Sequence, residues 1–450
     1  MKLSKKLLYI LCACASVAPC LAQTSVLDDT GDEYRIDTAE VNTIGLAIDA
    51  LAFFQDNEFD GHVVRGYSLP GFRLQPRLRY TPLPQIRLEA GLHATVYDGA
   101  GKYPSYAFHD IAHWKGDQYQ HGAHTLPFFR ATASLGGPTE ENPEGRKSRT
   151  TIVVGNIYGG ATHGVILSLW NPELSLTDDP EMGTQIIVDR PRWHSDVWLN
   201  WQSYIFEEDT HQEAFTVGWT QHVALPKGFG IPVQLLVQHR GGEQDLKELN
   251  LGVQTLANAA VGVDYEWRPS STSSSSPVVT DVKAEACGLF CYQQSGQLWP
   301  FDSGSALWMG ASVEIKHDLN VKAGAFYASD NFCSLYGSPF FGTVSVKRIG
   351  CVFNKMATGY GSIDYGRTFC VNHRNFGGTY TLGAKVEGYL NMCGTMTVRR
   401  DVHVMKDGTV VMPDGRPVDT YAKAAHLRTP FTFGIYFRAQ PSFVLKRLKK

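Results

Sequence analysis

The feature that most narrows the fold is an alternation of apolar and polar residues with period two. It is broken by turn residues about every ten positions and resumes along almost the whole chain. Ile86, Leu88, Ala90, Leu92, Ala94 and Val96 alternate with Arg87, Glu89, Gly91, His93, Thr95 and Tyr97. The same rhythm runs through Ala259–Trp267, Tyr380–Leu390 and Phe431–Phe437. Sixteen such segments are read at 42–54, 69–80, 85–98, 125–135, 149–159, 182–191, 194–207, 212–223, 230–240, 253–268, 278–292, 304–317, 319–329, 356–368, 378–391 and 428–440. Almost no segment of helical period competes with them.

A soluble sandwich and a membrane barrel both alternate. Three features favour the barrel. One face of each segment is nearly free of charge, as a lipid-facing wall must be, and the other carries Gly, Tyr and paired charges. Aromatic residues gather at segment ends, at Phe53, Phe54, Trp193, Trp201, Tyr265, Trp267 and Phe437, as in an interfacial girdle. The connectors alternate in length. Those at 99–124, 160–181, 330–355 and 392–427 are long. Thr81–Pro84, Pro191–Trp193 and His317–Asp318 are tight, with longer exceptions at 136–148 and the Ser-rich 269–277. An even strand count with long loops on one rim predicts a closed antiparallel transmembrane β-barrel, long loops outside and short turns in the periplasm. Closure also leaves no backbone polar group unpaired in lipid.

The leader reads the same way. Lys2, Lys5 and Lys6 precede the apolar run Leu7–Val17, and Cys20-Leu21-Ala22 places small residues before a cleavage point at Gln23. A signal peptide is therefore expected over 1–22, a periplasmic segment over 23–41, the barrel over 42–440 and a basic tail over 441–450, in a bacterial outer membrane reached by the Sec route. Removing three leader lysines from a net charge of −3 leaves −6. That balance excludes a basic nucleic-acid binder. Six of the nine cysteines remain, Cys287, Cys291, Cys333, Cys351, Cys370 and Cys393; export permits disulfides, but spacing does not pair them.

The alternation assigns a lumen. Arg73, Arg77, Arg79, Arg87 and Arg130 form an inward basic stripe, and Asp264 and Glu266 lie across from it in a barrel of this size. Either the two sets act on charged solutes across a watery lumen, or each is part of ion pairs between neighbouring strands. Asp196, Trp198 and Asn200 also point inward, as a sugar platform or as packing against an inserted loop. Arg240, before Gly241-Gly242 at a strand end, is placed to clamp a folded-in loop. Connector 99–124 holds His109, His113, His121 and His124, but their spacing fits no metal motif, and neither metal nor cofactor is expected. No G-x-S-x-G, H-E-x-x-H or P-loop is present, so no enzyme is expected; a rim hydrolase using His109, His113, Asp178 and Asp179 is the remote alternative.

Short motifs add a resemblance. Arg65-Gly66-Tyr67 leads into Phe72-Arg73-Leu74-Gln75-Pro76; Gly155-Asn156-Ile157-Tyr158-Gly159, Trp170-Asn171-Pro172-Glu173 and Asp178-Asp179-Pro180-Glu181 follow. Then come Trp193-His194-Ser195-Asp196-Val197-Trp198-Leu199-Asn200-Trp201 and His239-Arg240-Gly241-Gly242. With these the stretch from about 40 to 440 resembles a largely uncharacterised family of porin-like outer-membrane β-barrels of the Bacteroidetes. The resemblance implies a barrel and names no substrate. The expected function is passage of small hydrophilic solutes through a charged lumen narrowed by loop 99–124, 160–181 or 392–427. A non-conducting barrel that binds a glycan or protein, or anchors an assembly, is the alternative. Expected partners are outer-membrane lipid, lipopolysaccharide and the solute, with no nucleic acid; a homo-oligomer is open to such a barrel.

Overall fold

In a computed structural model the chain is a closed antiparallel β-barrel of sixteen long strands. The structure describes residues 18–19, 33–60, 65–98, 121–136, 148–177, 179–204, 213–242, 253–269, 278–296, 299, 301–316, 318–329, 331–344, 351–373, 375–393, 395–398, 403–404, 410–411, 423–424 and 429–448. Most of the leader, His109, His113, Asp178 and the Ser-rich run lie outside these residues.

The strands are β1 (Thr43–Asp60), β2 (Arg65–Leu83), β3 (Ile86–Asp98), β4 (His121–Gly136), β5 (Arg149–Asn156) and β6 (Met182–Arg190). They continue as β7 (Trp193–Ser203), β8 (Ala214–Ala224), β9 (Phe229–Arg240), β10 (Gln254–Trp267) and β11 (Val279–Ser295). The last five are β12 (Ser303–Ile315), β13 (Leu319–Ala328), β14 (Met356–His373), β15 (Phe376–Cys393) and β16 (Phe431–Arg447). Each pairs with the next, and β16 returns to β1, with Thr43 opposite Arg447. All sixteen segments expected from the alternation are strands. The largest differences are at β1, β2 and β16: β1 runs on past 54, β2 starts before 69, and β16 continues past 440.

The pleat sorts the side chains. Leu88, Leu92, Val96, Val261, Val263, Leu382, Val386, Phe433, Ile435 and Phe437 are exposed on the outer wall. A belt of this kind is stable only against hydrocarbon, and it makes the barrel membrane-spanning. Trp193, Trp267, Phe54 and Phe437 stand on that wall as expected. Phe53 is a correction: odd-numbered residues of β1 face inward, so Phe53 is buried, with its ring against Gly71.

The lumen is packed. From the long-connector rim, 157–181 and 331–344 fold inward; Ile157, Tyr158, Ile166, Leu169 and Leu174 of the first insert join Phe332, Cys333, Leu335, Phe340 and Phe341 of the second in one apolar core. The inserts meet where the Asn171 amide donates to the Tyr336 carbonyl (2.8 Å). From the other rim the segment before β1 enters, and Tyr34 packs edge-on against Tyr158. Loop 160–181 therefore folds inward as expected. The second insert comes from connector 330–355, whereas Thr395–Val398 of the longest connector pairs with Cys351–Phe353. Among the described side chains, Cys287, Cys291, Cys333 and Cys370 are free thiols.

An irregular backbone inside a barrel must find hydrogen-bond partners without water. Amide side chains on the wall supply them. Gln185 accepts from the Tyr158 amide (2.9 Å) and donates to its carbonyl (3.0 Å). Gln234 accepts from Ile166 (3.0 Å) and donates to Gly164 (3.1 Å). Asn258 holds the second insert likewise, accepting from Leu335 (2.6 Å) and donating to Cys333 (2.8 Å).

Candidate functional site

Arg77, Arg87 and Arg130 of the expected stripe are buried on the inner face of β2, β3 and β4. Their acids stand beside them. The Glu89 carboxylate has no exposed surface and lies within 3.6 Å of Arg77, 3.2 Å of Arg79, 3.8 Å of Arg87 and 3.4 Å of Arg130. Glu33 of the N-terminal segment adds a contact to Arg77 at 2.6 Å. The guanidiniums also grip inserted backbone. Arg73 donates to the Ser175 carbonyl (2.7 Å), Arg87 to that of Arg35 (3.2 Å), and Arg130 to those of Asn156 (2.6 Å) and Ile157 (3.0 Å). The acids expected opposite them are engaged on their own side, Asp264 with His222 (2.8 Å) and Glu266 with Arg268 and Lys283. A cavity of about 130 Å³ remains between this wall and the first insert, lined by Arg73, Arg130, His93, Asp179 and Glu181 among others.

Asp196 and Trp198 are buried inside β7, and Asn200 beside them accepts from the Met182 amide (3.2 Å). Trp198 is covered. The His163 ring stacks on it at 3.6 Å and 8°, and a side chain at Gly218 would collide with the indole from beneath. His163 donates through Nδ1 to Asp196 (2.7 Å) and through Nε2 to Glu181 (3.2 Å). Burial would lower its pKa, but Glu181 and Asp196 overcome this and hold it up at about 9. Engaged at both ring nitrogens, His163 staples the first insert to the wall. Because its folded pKa exceeds the ordinary 6.5, its stabilisation is full below about 6.5 and lost as pH rises through about 9. His163→Phe is expected to flatten the stability–pH curve over that window in urea titrations; an unchanged slope would remove His163 as the titrating group. Arg240 is buried at the end of β9, where the neighbouring Gly241 amide donates to the Glu213 backbone carbonyl (2.9 Å).

On β1 and β2 the outer wall departs from its apolar pattern in a way that the alternation passes over. On β1 the outward positions run Ala52, Phe54, Asp56, Glu58, and on β2 Ser68 stands directly opposite Asp56. The Ser68 hydroxyl donates to Asp56 Oδ1 at 2.5 Å. On the other side Asp56 faces Phe433 and Glu58 faces Phe431, both exposed. A hydroxyl–carboxylate pair beside a belt of exposed Phe is costly in a lipid-facing wall, and such ionisable groups mark function by default. The pair sits near the long-connector rim, a few residues from the end of β1 at Asp60.

The family model for lipid A 3'-O-deacylase-type proteins matches residues 36–448. The chain belongs to this family. The expectation that the protein is no enzyme is thereby overturned. It rested on linear motifs, and a pair brought together by register across two strands leaves none. No curated protein matches the chain. Among solved structures, the chain is similar to OccAB4 of Acinetobacter baumannii, with 10% identity over 90% of this chain and 100% of that one, at a TM-score of 0.41. It is also similar to the outer membrane protein opdK from Pseudomonas aeruginosa, with 9% identity over 90% and 100%, at 0.40. The outer membrane protein OprD from Pseudomonas aeruginosa gives 8% over 92% and 97%, also at 0.40.

Proposed function

We propose that the protein is an outer-membrane ester hydrolase that removes an acyl chain from a lipid A-type glycolipid at the outer wall of β1 and β2. Family membership supports this reaction class. The observation that carries the site is the Ser68–Asp56 hydrogen bond on the lipid-facing wall. Asp56 takes the proton of Ser68 as its oxygen attacks the ester carbonyl and returns it to the glycolipid oxygen as the ester C–O bond breaks; Asp56 then deprotonates water for attack on the acyl-Ser68 ester and gives that proton to the Ser68 oxygen as the fatty acid leaves. Phe54, Phe431 and Phe433 bound the pair with an apolar surface for the chain that leaves. Lipopolysaccharide is then the substrate, and the packed lumen is scaffold. The test is incubation of the refolded protein with lipid A vesicles and mass analysis of the product. Loss of one hydroxyacyl or acyl mass is expected; intact lipid with a verified folded barrel would overturn the reading.

Passage of small hydrophilic solutes is the second reading, and the charged cavity beside Arg73 and Arg130 is what favours it. Planar-bilayer recording separates the two. With two inserts in the lumen, no stepwise current is expected. Steps whose anion preference falls when Arg73, Arg77 and Arg79 are neutralised would establish a channel.

A further inference from the structure

Glu173 belongs to the first insert, yet its carboxylate reaches the wall at one place, directly behind the outward pair. It accepts from Gln55 Nε2 (2.6 Å), from Asn57 Nδ2 (3.3 Å) and from the Tyr67 hydroxyl. Gln55 and Asn57 are the residues before and after Asp56, and Tyr67 immediately precedes Ser68. In a pleated strand these neighbours point inward because Asp56 and Ser68 point outward. One buried carboxylate thus holds three of the four inner residues that bracket the outer pair, the fourth being the buried Leu69. The network continues into the next strand, where the Tyr436 hydroxyl donates to Gln55 Oε1 (3.0 Å) and Thr432 to Asn57 Oδ1 (2.7 Å).

We propose that Glu173 is a positioning residue for hydrolysis: the insert sets, through the β1–β2 wall, the spacing and orientation of Asp56 and Ser68 on the other face. This rests on the hydrolase reading above. Its chemistry demands a carboxylate. Three donors converge, and an ionised carboxylate offers only acceptors, whereas an amide of the same size turns an NH₂ toward them. Misplacement of reacting groups by about 1 Å costs on the order of 100-fold in rate.

The experiment compares Glu173→Gln, Glu173→Asp, Ser68→Ala and Asp56→Asn in the full-length refolded barrel, with kcat and KM on lipid A vesicles and folding verified by heat-modifiable gel mobility. Glu173→Gln is expected to lower kcat roughly 10- to 100-fold with KM within about twofold, and Glu173→Asp to recover part of the loss. Glu181→Gln, which loosens the same insert at His163 instead, is expected to leave kcat near wild type. If Glu173→Gln does not fold, Tyr67→Phe removes one donor to the same carboxylate and should lower kcat in the same direction. Wild-type kcat in folded Glu173→Gln, with Ser68→Ala and Asp56→Asn inactive, would overturn the positioning role alone. Equal losses in Glu173→Gln and Glu181→Gln would reduce Glu173 to a general support of the insert. Wild-type rates in Ser68→Ala and Asp56→Asn would overturn the hydrolase site itself, whatever Glu173→Gln does.

Discussion

Ser68→Ala is expected to lower deacylation by at least ~10³-fold while leaving the barrel folded, since removing an activated nucleophile forfeits the covalent route altogether. Asp56→Asn should fall nearly as far, because the amide cannot take the proton, and general-base catalysis contributes about 10²- to 10⁴-fold. The two losses should not add in the double variant, as the residues work as one unit. Stability of Asp56→Asn should scarcely move or rise slightly, because a carboxylate leaves a lipid-facing wall. The measurement is initial rate on lipid A vesicles beside the urea midpoint. A Ser68→Ala protein within tenfold of wild type would move the chemistry elsewhere on the barrel.

Glu89→Ala is expected to produce the largest loss of stability in the molecule. The Glu89 side chain is fully enclosed and meets four guanidiniums within 3.8 Å, all anchored in the wall of β2, β3 and β4. Removing the shared acid leaves crowded buried cations with less to oppose them, and breaking buried pairs of this kind costs about 3–5 kcal/mol. The same guanidiniums hold the Arg35, Asn156 and Ile157 carbonyls, so the N-terminal segment and the first insert should loosen as well. Urea unfolding followed by gel mobility would show the shift, and limited proteolysis should cut within 157–181 before the barrel opens. A change below about 1 kcal/mol would mean that water reaches the cluster and screens it.

Much of the architecture is readable from the sequence because it is local. Period two survives in β3, β10, β15 and β16 whatever they pair with, and connector lengths alternate without reference to contacts. The filling of the lumen is not local. Gln185, Gln234 and Asn258 read as ordinary polar lumen residues until an inserted backbone reaches them. The arginines illustrate the same limit. Strand parity points them inward, but their acid was sought across the lumen, whereas Glu89 stands two residues from Arg87 on the same face and Glu33 arrives from before β1. The outer pair was lost for a sharper reason. The alternation ends β1 at 54 and starts β2 at 69, because polar residues on the lipid side break the pattern; Asp56 and Ser68 fall in the gap between. In the sequence such departures from the apolar rule look like strand ends, and on β1 and β2 they mark the candidate site.

The seam between β16 and β1 places the first and last barrel strands side by side, with the Leu448 amide donating to the Asn42 carbonyl at 2.7 Å. Among the sixteen barrel strands every other pair joins neighbours in sequence, so this pairing alone closes the barrel over nearly its whole span. Loop-closure entropy then falls on one event, the meeting of first and last strands, and high contact order slows it. Linking the ends and reopening the chain at a tight turn such as 84–85 would exchange that long-range encounter for a hairpin. The rate of closure, and with it the time for which an open sheet edge stays exposed, is therefore set by which strands come first and last in the barrel as much as by the strands themselves.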